Sequence, residues 1–319
     1  MLWVEKNISI YDNFTGHLRF IIMLVRVLLM CSKAYSNFFT IFLSVLRSKY
    51  PVTGTLKRGN RIPLNNFYHV NFIAKAETSK VMKYDLDNNM VLLTELPFLP
   101  GNIKLHGAID NGDVIGVFID QVYEDLPVQN KTVVDVGANI GDSSVYFALK
   151  GASRVIALEP FPQSYEMAKK NIEVNDVQNK IELLLAGCSN QNGWRLIDPN
   201  LVGTVASKIN ELKNGIKVPI MTLSKIVKDY KIDEKSILKI DCEGCEYDII
   251  LSTSTEILQK FNHIFLEYHY GYRDLKEKLE GSGFNVSITR PSISGQIAHY
   301  AWIGFLILNQ EYDILNESQ

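Results

Sequence analysis

The glycine bend in "VVDVGANIGDSS" (133–144) lacks the G-x-G-x-x-G spacing that seats a pyrophosphate against a helix N-terminus. A nucleotide-binding turn of the ordinary dinucleotide kind is thereby disfavoured. Excess charge of either sign is missing too. The formal net charge of −2 argues against general nucleic-acid binding, which needs a basic surface to neutralise phosphates. Cysteine is scarce. Four residues, Cys31, Cys188, Cys242 and Cys245, are too few for a disulfide scaffold and point to a reducing compartment. No internal repeat or low-complexity tract is present, and the composition, 46% hydrophobic and 21% charged, is that of a chain able to bury a core.

Long apolar runs are also missing. "FIIMLVRVLLMC" (Phe20–Cys31) and "FFTIFLSVL" (Phe38–Leu46) are each too short to span a bilayer. The first starts late for a signal peptide and has no small-residue cleavage site after it. Arg19, Arg26, Lys33, Thr40 and Arg47 recur every seven residues, which keeps one polar stripe along an otherwise greasy helix. That surface packs on its own domain or on a second subunit as a homo-oligomer through residues 18–46. Peripheral contact with a membrane is the alternative. The expected location is cytoplasmic, with or without that contact.

Three regions follow from the patterning. Residues 1–50 form an amphipathic helical segment, and 51–127 a small β-containing subdomain entered through a Pro- and Gly-bearing connector at 50–66. In that subdomain "FYHVNFIA", "VMKYDLDNNMVLL" and "IDNGDVIGVFIDQVY" read as strands and turns. From 128 to 319 the rhythm becomes strand–helix–strand. The strand candidates are "TVVDVG" (132–137), "RVIALEP" (154–160), "KIELLLAG" (180–187), "SILKIDCEG" (236–244) and "HIFLEYH" (263–269). Their continuous apolar character predicts an α/β fold, a Rossmann-like doubly wound sheet buried on both faces. "FNVSITR" (284–290) and "AWIGFLILN" (301–309) have no helix between them and suit an antiparallel edge pair.

In such a sheet, ligands bind beyond the carboxyl ends of the strands. Those ends carry Asp135, Gly137, Glu159, Asp241, Glu243, Glu267 and His269, a strongly acidic set. Glu159 lies near the offset at which an acid grips ribose hydroxyls. Asp142 suits the positive end of the helix that follows the bend, and together with Asp135 it would repel a pyrophosphate. A ribosyl ligand bearing an ammonium and a sulfonium matches this charge, so S-adenosylmethionine is the expected cofactor. Gly187 and Cys188, after the third strand, are placed to approach its adenine, and "GTVASK" (203–208) reads as a loop beside the site.

The stretches "VVDVGANIGDSSVYFA", "VIALEPFPQSYEMAKKNIEVN" and "ILKIDCEGCEYDII" resemble the FkbM family of class I S-adenosylmethionine-dependent methyltransferases. The resemblance runs from roughly 130 to 290 and includes "VPIMTLSKIV". It implies methyl transfer, typically to a hydroxyl of a sugar, lipid-linked or polyketide-type acceptor. It also implies that Asp135, Gly137, Asn139 and Gly141 line the methionine end and that Glu159 holds the ribose.

An acid at a buried strand end is costly unless paired, hydrogen-bonded or protonated. Asp241 is therefore a candidate base for the acceptor hydroxyl, and His269 another. Glu243 either joins Asp241 in contacting substrate, or the two hold a divalent cation, or Glu243 bonds only to backbone. No residue is assigned as a metal ligand. A redox role for C-x-x-C at 242–245 is disfavoured, because alternation turns Cys242 away from the strand-end acids. Two rival functions stay open: a nicotinamide-dependent oxidoreductase on the same fold, and a non-catalytic binding protein associated with a membrane.

Overall fold

The computed structural model describes residues 10–109, 113–200, 215–289, 292–294 and 301–310. The loop at 203–208 lies outside them. Helix α1 (Ile10–Ala34) and helix α2 (Phe38–Leu46) open the chain. Within α1, Phe14–Ala34 is a 21-residue, mostly apolar stretch that is largely unburied. By length and composition it is long enough to cross a membrane, which corrects the shorter estimate from the apolar run alone. The helix simply continues through the residues that precede that run. Asn37 pins the junction between the two helices: its Nδ2 donates to Thr53 O and its Oδ1 accepts from Thr55 N, both at 2.8 Å.

The connector is a hairpin, β1 (Val52–Thr55) with β2 (Arg61–Leu64). "FYHVNFIA" is not a strand. It forms α3 (Phe67–Thr78), started by the Asn66 side chain, which accepts from His69 N at 2.9 Å. Its buried residues Val70, Phe72, Ile73, Ala74 and Ala76 follow helical spacing, and the Asn cap selects that period over the alternating one. The hairpin in "VMKYDLDNNMVLL" is present as β3 (Met82–Asp85) and β4 (Met90–Leu93), joined by β5 (Ile103–His106). "DVIGVF" is helical, α4 (Asp113–Phe118), again against the strand expectation.

The remainder alternates as expected: β6 (Thr132–Val136), α5 (Asp142–Leu149), β7 (Arg154–Leu158), α6 (Pro162–Val174) and β8 (Ile181–Leu184). Next, β9 (Gly187–Cys188), β10 (Gly193–Ile197) and β11 (Ile216–Met221) make a separate small sheet. Then come α7 (Leu223–Asp229), β12 (Ser236–Ile240), α8 (Cys245–Ser252), α9 (Thr255–Leu258), β13 (Phe261–Tyr268) and α10 (Arg273–Glu280). The chain closes with β14 (Phe284–Ile288), β15 (Ser292–Ser294) and β16 (Ala301–Gln310). The main sheet runs β14-β16-β13-β12-β6-β7-β8, parallel from β13 to β8, with β16 inserted antiparallel between β13 and β14. This is the doubly wound architecture expected.

Alternation along the strands sorts the core. Val134, Ile156, Leu238 and Ile264 face one cluster, while Val133, Val155, Ile237 and Phe265 face the other. The second cluster also takes in Val27, Tyr35, Phe72, Leu105 and Phe118. The N-terminal elements thus share a core with one face of the sheet. Odd-numbered positions point to that face, so Asp135, Glu159, Lys239, Asp241, Glu267 and His269 all extend toward the N-terminal side.

Candidate active site

The glycine bend is shaped by close approach. Gly137 has φ +79°, and a Cβ there would sit 1.8 Å from Asp241 O; no other residue fits. Gly141, at φ +80°, caps α5. Asn139 between them adopts φ +47°, a left-handed conformation that asparagine tolerates.

Asp135 is turned inward. Its side chain is fully buried; Oδ2 accepts from Ser143 Oγ at 2.7 Å and Ser144 Oγ at 2.6 Å, and Oδ1 lies 3.0 Å from Lys239 Nζ. Lys239 stands beside it in register on β12 and donates to Gly137 O at 2.8 Å. Burial alone would discharge this lysine, but Asp135 and Asp241 hold its pKa above the ordinary value. Asp135, the expected methionine-end residue, thus also ties the bend to α5 and β12. Lys239 was missed in the sequence, although a lysine inside the fully buried run "SILKI" is the signal that could have found it.

Glu159, also buried, spans the bend. Its Oε2 accepts from Asn139 N at 2.8 Å and its Oε1 from Phe161 N at 2.9 Å. Burial pushes its carboxyl up to about 7 against those two hydrogen bonds. Asp142 is buried at the start of α5, and burial with the charge of Asp113 raises its carboxyl well above the usual range. Asp142 Oδ2 and Asn139 Oδ1 are buried acceptors with no donor among the described residues. Two orphaned acceptors beside a ribose-placed acid fit a ligand that brings an ammonium and hydroxyls. Gly187 sits on β9, where a Cβ would come within 2.8 Å of Ile220 Cδ1 and 3.5 Å of Pro160. A larger residue there would displace the end of the Ile220 side chain.

Beyond the fourth and fifth strands the site is acidic. Asp241, Glu267 and His269 each place a ligand-type atom within 4.8 Å of the others, a spacing that a divalent cation could use. His269 is buried and oriented by Glu246, a fully buried residue in the first turn of α8. Glu246 Oε1 accepts from His269 N at 3.1 Å and pairs with His269 Nδ1 at 2.9 Å, and Oε2 accepts from Gly244 N at 2.8 Å. The other ring nitrogen, Nε2, lies 3.4 Å from Glu243 Oε2. Burial opposes charge on the ring, but Glu246, Glu267 and Glu243 outweigh it and push its pKa up to about 10. The geometry thus favours the protonated ring over an ordinary histidine.

Glu243 projects from a bend with φ +56°, followed by Gly244 at +116°. About half of its side chain is exposed, while burial of the rest and Asp241 raise its carboxyl to about 7 against the pull of His269. A disulfide joins Cys242 to Cys245 across this bend, Cα to Cα 5.5 Å, against the expectation of unpaired cysteines in a reducing compartment. Cys31 and Cys188 are free and buried.

The N-terminal region reaches the same place. Asn139 Nδ2 donates to Asp113 Oδ2 at 3.3 Å. Asp113 opens α4 beside the bend; burial and the charge of Asp241 raise its carboxyl to about 6. Tyr68, exposed on α3, feels Glu243, Asp113 and Glu267. Neither residue carried any sequence signal, because nothing in a local pattern says which distant loop will close over a strand end.

Residues 135–293 match the model of the methyltransferase FkbM domain. Methyltransferase sdnD of Sordaria araneosa is 27% identical over 212 residues, 54% of this chain and 82% of that protein. Among solved structures, a methyltransferase FkbM from Methylobacillus flagellatus aligns with TM-score 0.39 at 14% identity, over 58% of this chain and 45% of that one. TrmK of M. capricolum, solved with S-adenosylhomocysteine, aligns with TM-score 0.38 at 16% identity, over 62% of this chain and 70% of that one. This chain spans less than half the length of the FkbM structure.

Proposed function

Since the chain belongs to the FkbM methyltransferases through residues 135–293, we propose that it methylates a hydroxyl of a sugar, lipid-linked or secondary-metabolite-type acceptor, with Glu243 as the base. The methyltransferase match leaves the oxidoreductase alternative without support. S-adenosylmethionine, the donor of these enzymes, supplies a methyl carbon made electrophilic by the sulfonium. Glu159 would take the ribose hydroxyls, while Asn139 Oδ1 and Asp142 Oδ2 would take the ammonium. Gly137 and Gly141 shape the bend, and Lys239 with Asp135 holds it rigid, so the residues act mainly by alignment.

A hydroxyl acceptor must lose its proton as the new O–C bond forms. Glu243 is poised for this, pushed up to about 7 and open to the crevice. His269 is the less available base, because its Nδ1 faces Glu246 and its Nε2 faces Glu243; in this reading it positions Glu243. Asp241 contributes charge beside it. The observation that carries this reading is the chain Glu246–His269–Glu243, with contacts of 2.9 and 3.4 Å.

The crevice chemistry supports the acceptor class. The carboxyl groups of Asp113, Asp241, Glu243 and Glu267 offer hydrogen-bond acceptors to a polyhydroxyl compound. Tyr68 offers a ring at the mouth for a sugar face. Incubation with methyl-labelled donor and a panel of glycans, glycolipids and RNA tests this. Label in an acid-stable ether on a glycan or glycolipid is expected; label in RNA or protein, or none, contradicts it.

A further inference from the structure

Helix α1 has two apolar faces. One buries Val27, Cys31 and Ala34 in the core shared with the sheet, against α3. The other consists of Phe14, Leu18, Ile21, Ile22, Val25 and Leu29 and is open to solvent, with Phe14 71%, Ile21 57% and Leu29 57% exposed. At the helical period these six fall within a sector roughly 100° wide. Arg19, Arg26 and Lys33, all exposed, run along one edge of that sector at seven-residue intervals. From residue 13 to residue 76 the chain carries nine lysines and arginines and no aspartate or glutamate, in a protein whose net charge is −2.

We infer that this face of α1 docks in the plane of an anionic lipid bilayer, its six apolar side chains in the acyl boundary and its basic edge at the headgroups. The sector width and the flanking cations are those of an interfacial helix. A second copy of this chain is a poor occupant, because a two-fold contact would set the same edge of Arg19, Arg26 and Lys33 against itself. Crossing the bilayer is opposed by the body-packed face and by Arg26 and Lys33 within the helix. The inference lies outside residues 135–293 and does not rest on the acceptor proposed above.

Flotation of the full chain with phosphatidylcholine vesicles, with and without about 30% phosphatidylglycerol, tests it. Wild type is expected to float with the anionic vesicles and to be released by high salt. Leu18→Asp with Leu29→Asp should lower partitioning roughly tenfold or more, and Arg26→Glu with Lys33→Glu should do so as well. All four positions are exposed, and calorimetric titration with S-adenosylmethionine reports whether the fold is intact in each variant. Wild type that ignores anionic vesicles overturns the inference. So does binding that resists alkaline carbonate, which marks a spanning helix. A dimer by light scattering that Leu18→Asp with Leu29→Asp converts to monomer overturns it in favour of a second copy.

Discussion

The sheet region and the N-terminal region meet at one crevice but are built by different rules. Strand ends β6, β7, β12 and β13 deliver Asp135, Glu159, Asp241 and Glu267 to fixed heights on one face, because parallel register leaves no freedom. Tyr68 and Asp113 arrive there on separate helices, held by a shared core rather than by register. In the proposed reading the sheet fixes what the bend can hold and where a proton goes, and the helices fix what can be presented to it. Substitutions in the two regions should split cofactor effects from acceptor effects.

The largest break comes from Lys239→Met. It leaves Asp135 charged, buried and without its cation, at a cost of about 3–5 kcal/mol. Urea denaturation measures it; a loss below about 1 kcal/mol would mean the lysine does not brace the bend. Next, Glu243→Gln should lower kcat roughly 100- to 10,000-fold while leaving the affinity for S-adenosylmethionine unchanged. A matched loss of both would place Glu243 among the cofactor contacts. Smaller again, Tyr68→Ala should raise the acceptor KM about tenfold with cofactor affinity intact. An unchanged KM would remove the N-terminal region from acceptor recognition. Chelation should have the least effect. His269 carries the positive charge among the acids, so EDTA is expected to leave activity within about twofold. Loss on chelation, restored by a divalent cation, would assign the Asp241–Glu267–His269 group to metal.

The same contrast governed what could be read from sequence. Strands of the sheet were legible because β-branched and leucine runs bounded by helices admit few other folds. The orders of β6, β7, β12 and β13 and the antiparallel partners β14 and β16 follow that pattern. "FYHVNFIA" was ambiguous, since its apolar residues satisfy periods of both 2 and 3.6, and the Asn66 cap decided for helix. In the site, residue type was legible and direction was not. Asp135 sits where a ligand acid would, but the buried Lys239 across the strand turns its charge to structural use. His269 read as a base from its type alone, and Glu246, in the first turn of α8, contacts its Nδ1, a partner that the sequence did not show. Glu246 had been hidden inside an ordinary helical pattern.

The proton's path is the most exposed part of the account. Methyl transfer by wild type and by Glu243→Gln, measured with saturating cofactor from about pH 5 to about pH 9, tests it directly. Because the acting form is the carboxylate, wild-type rate should climb tenfold per pH unit, level off above about 7, and hold until His269 begins to discharge near 10. The glutamine variant should show a low rate without that rise. The same rise in Glu243→Gln, undiminished, would contradict Glu243 as the base.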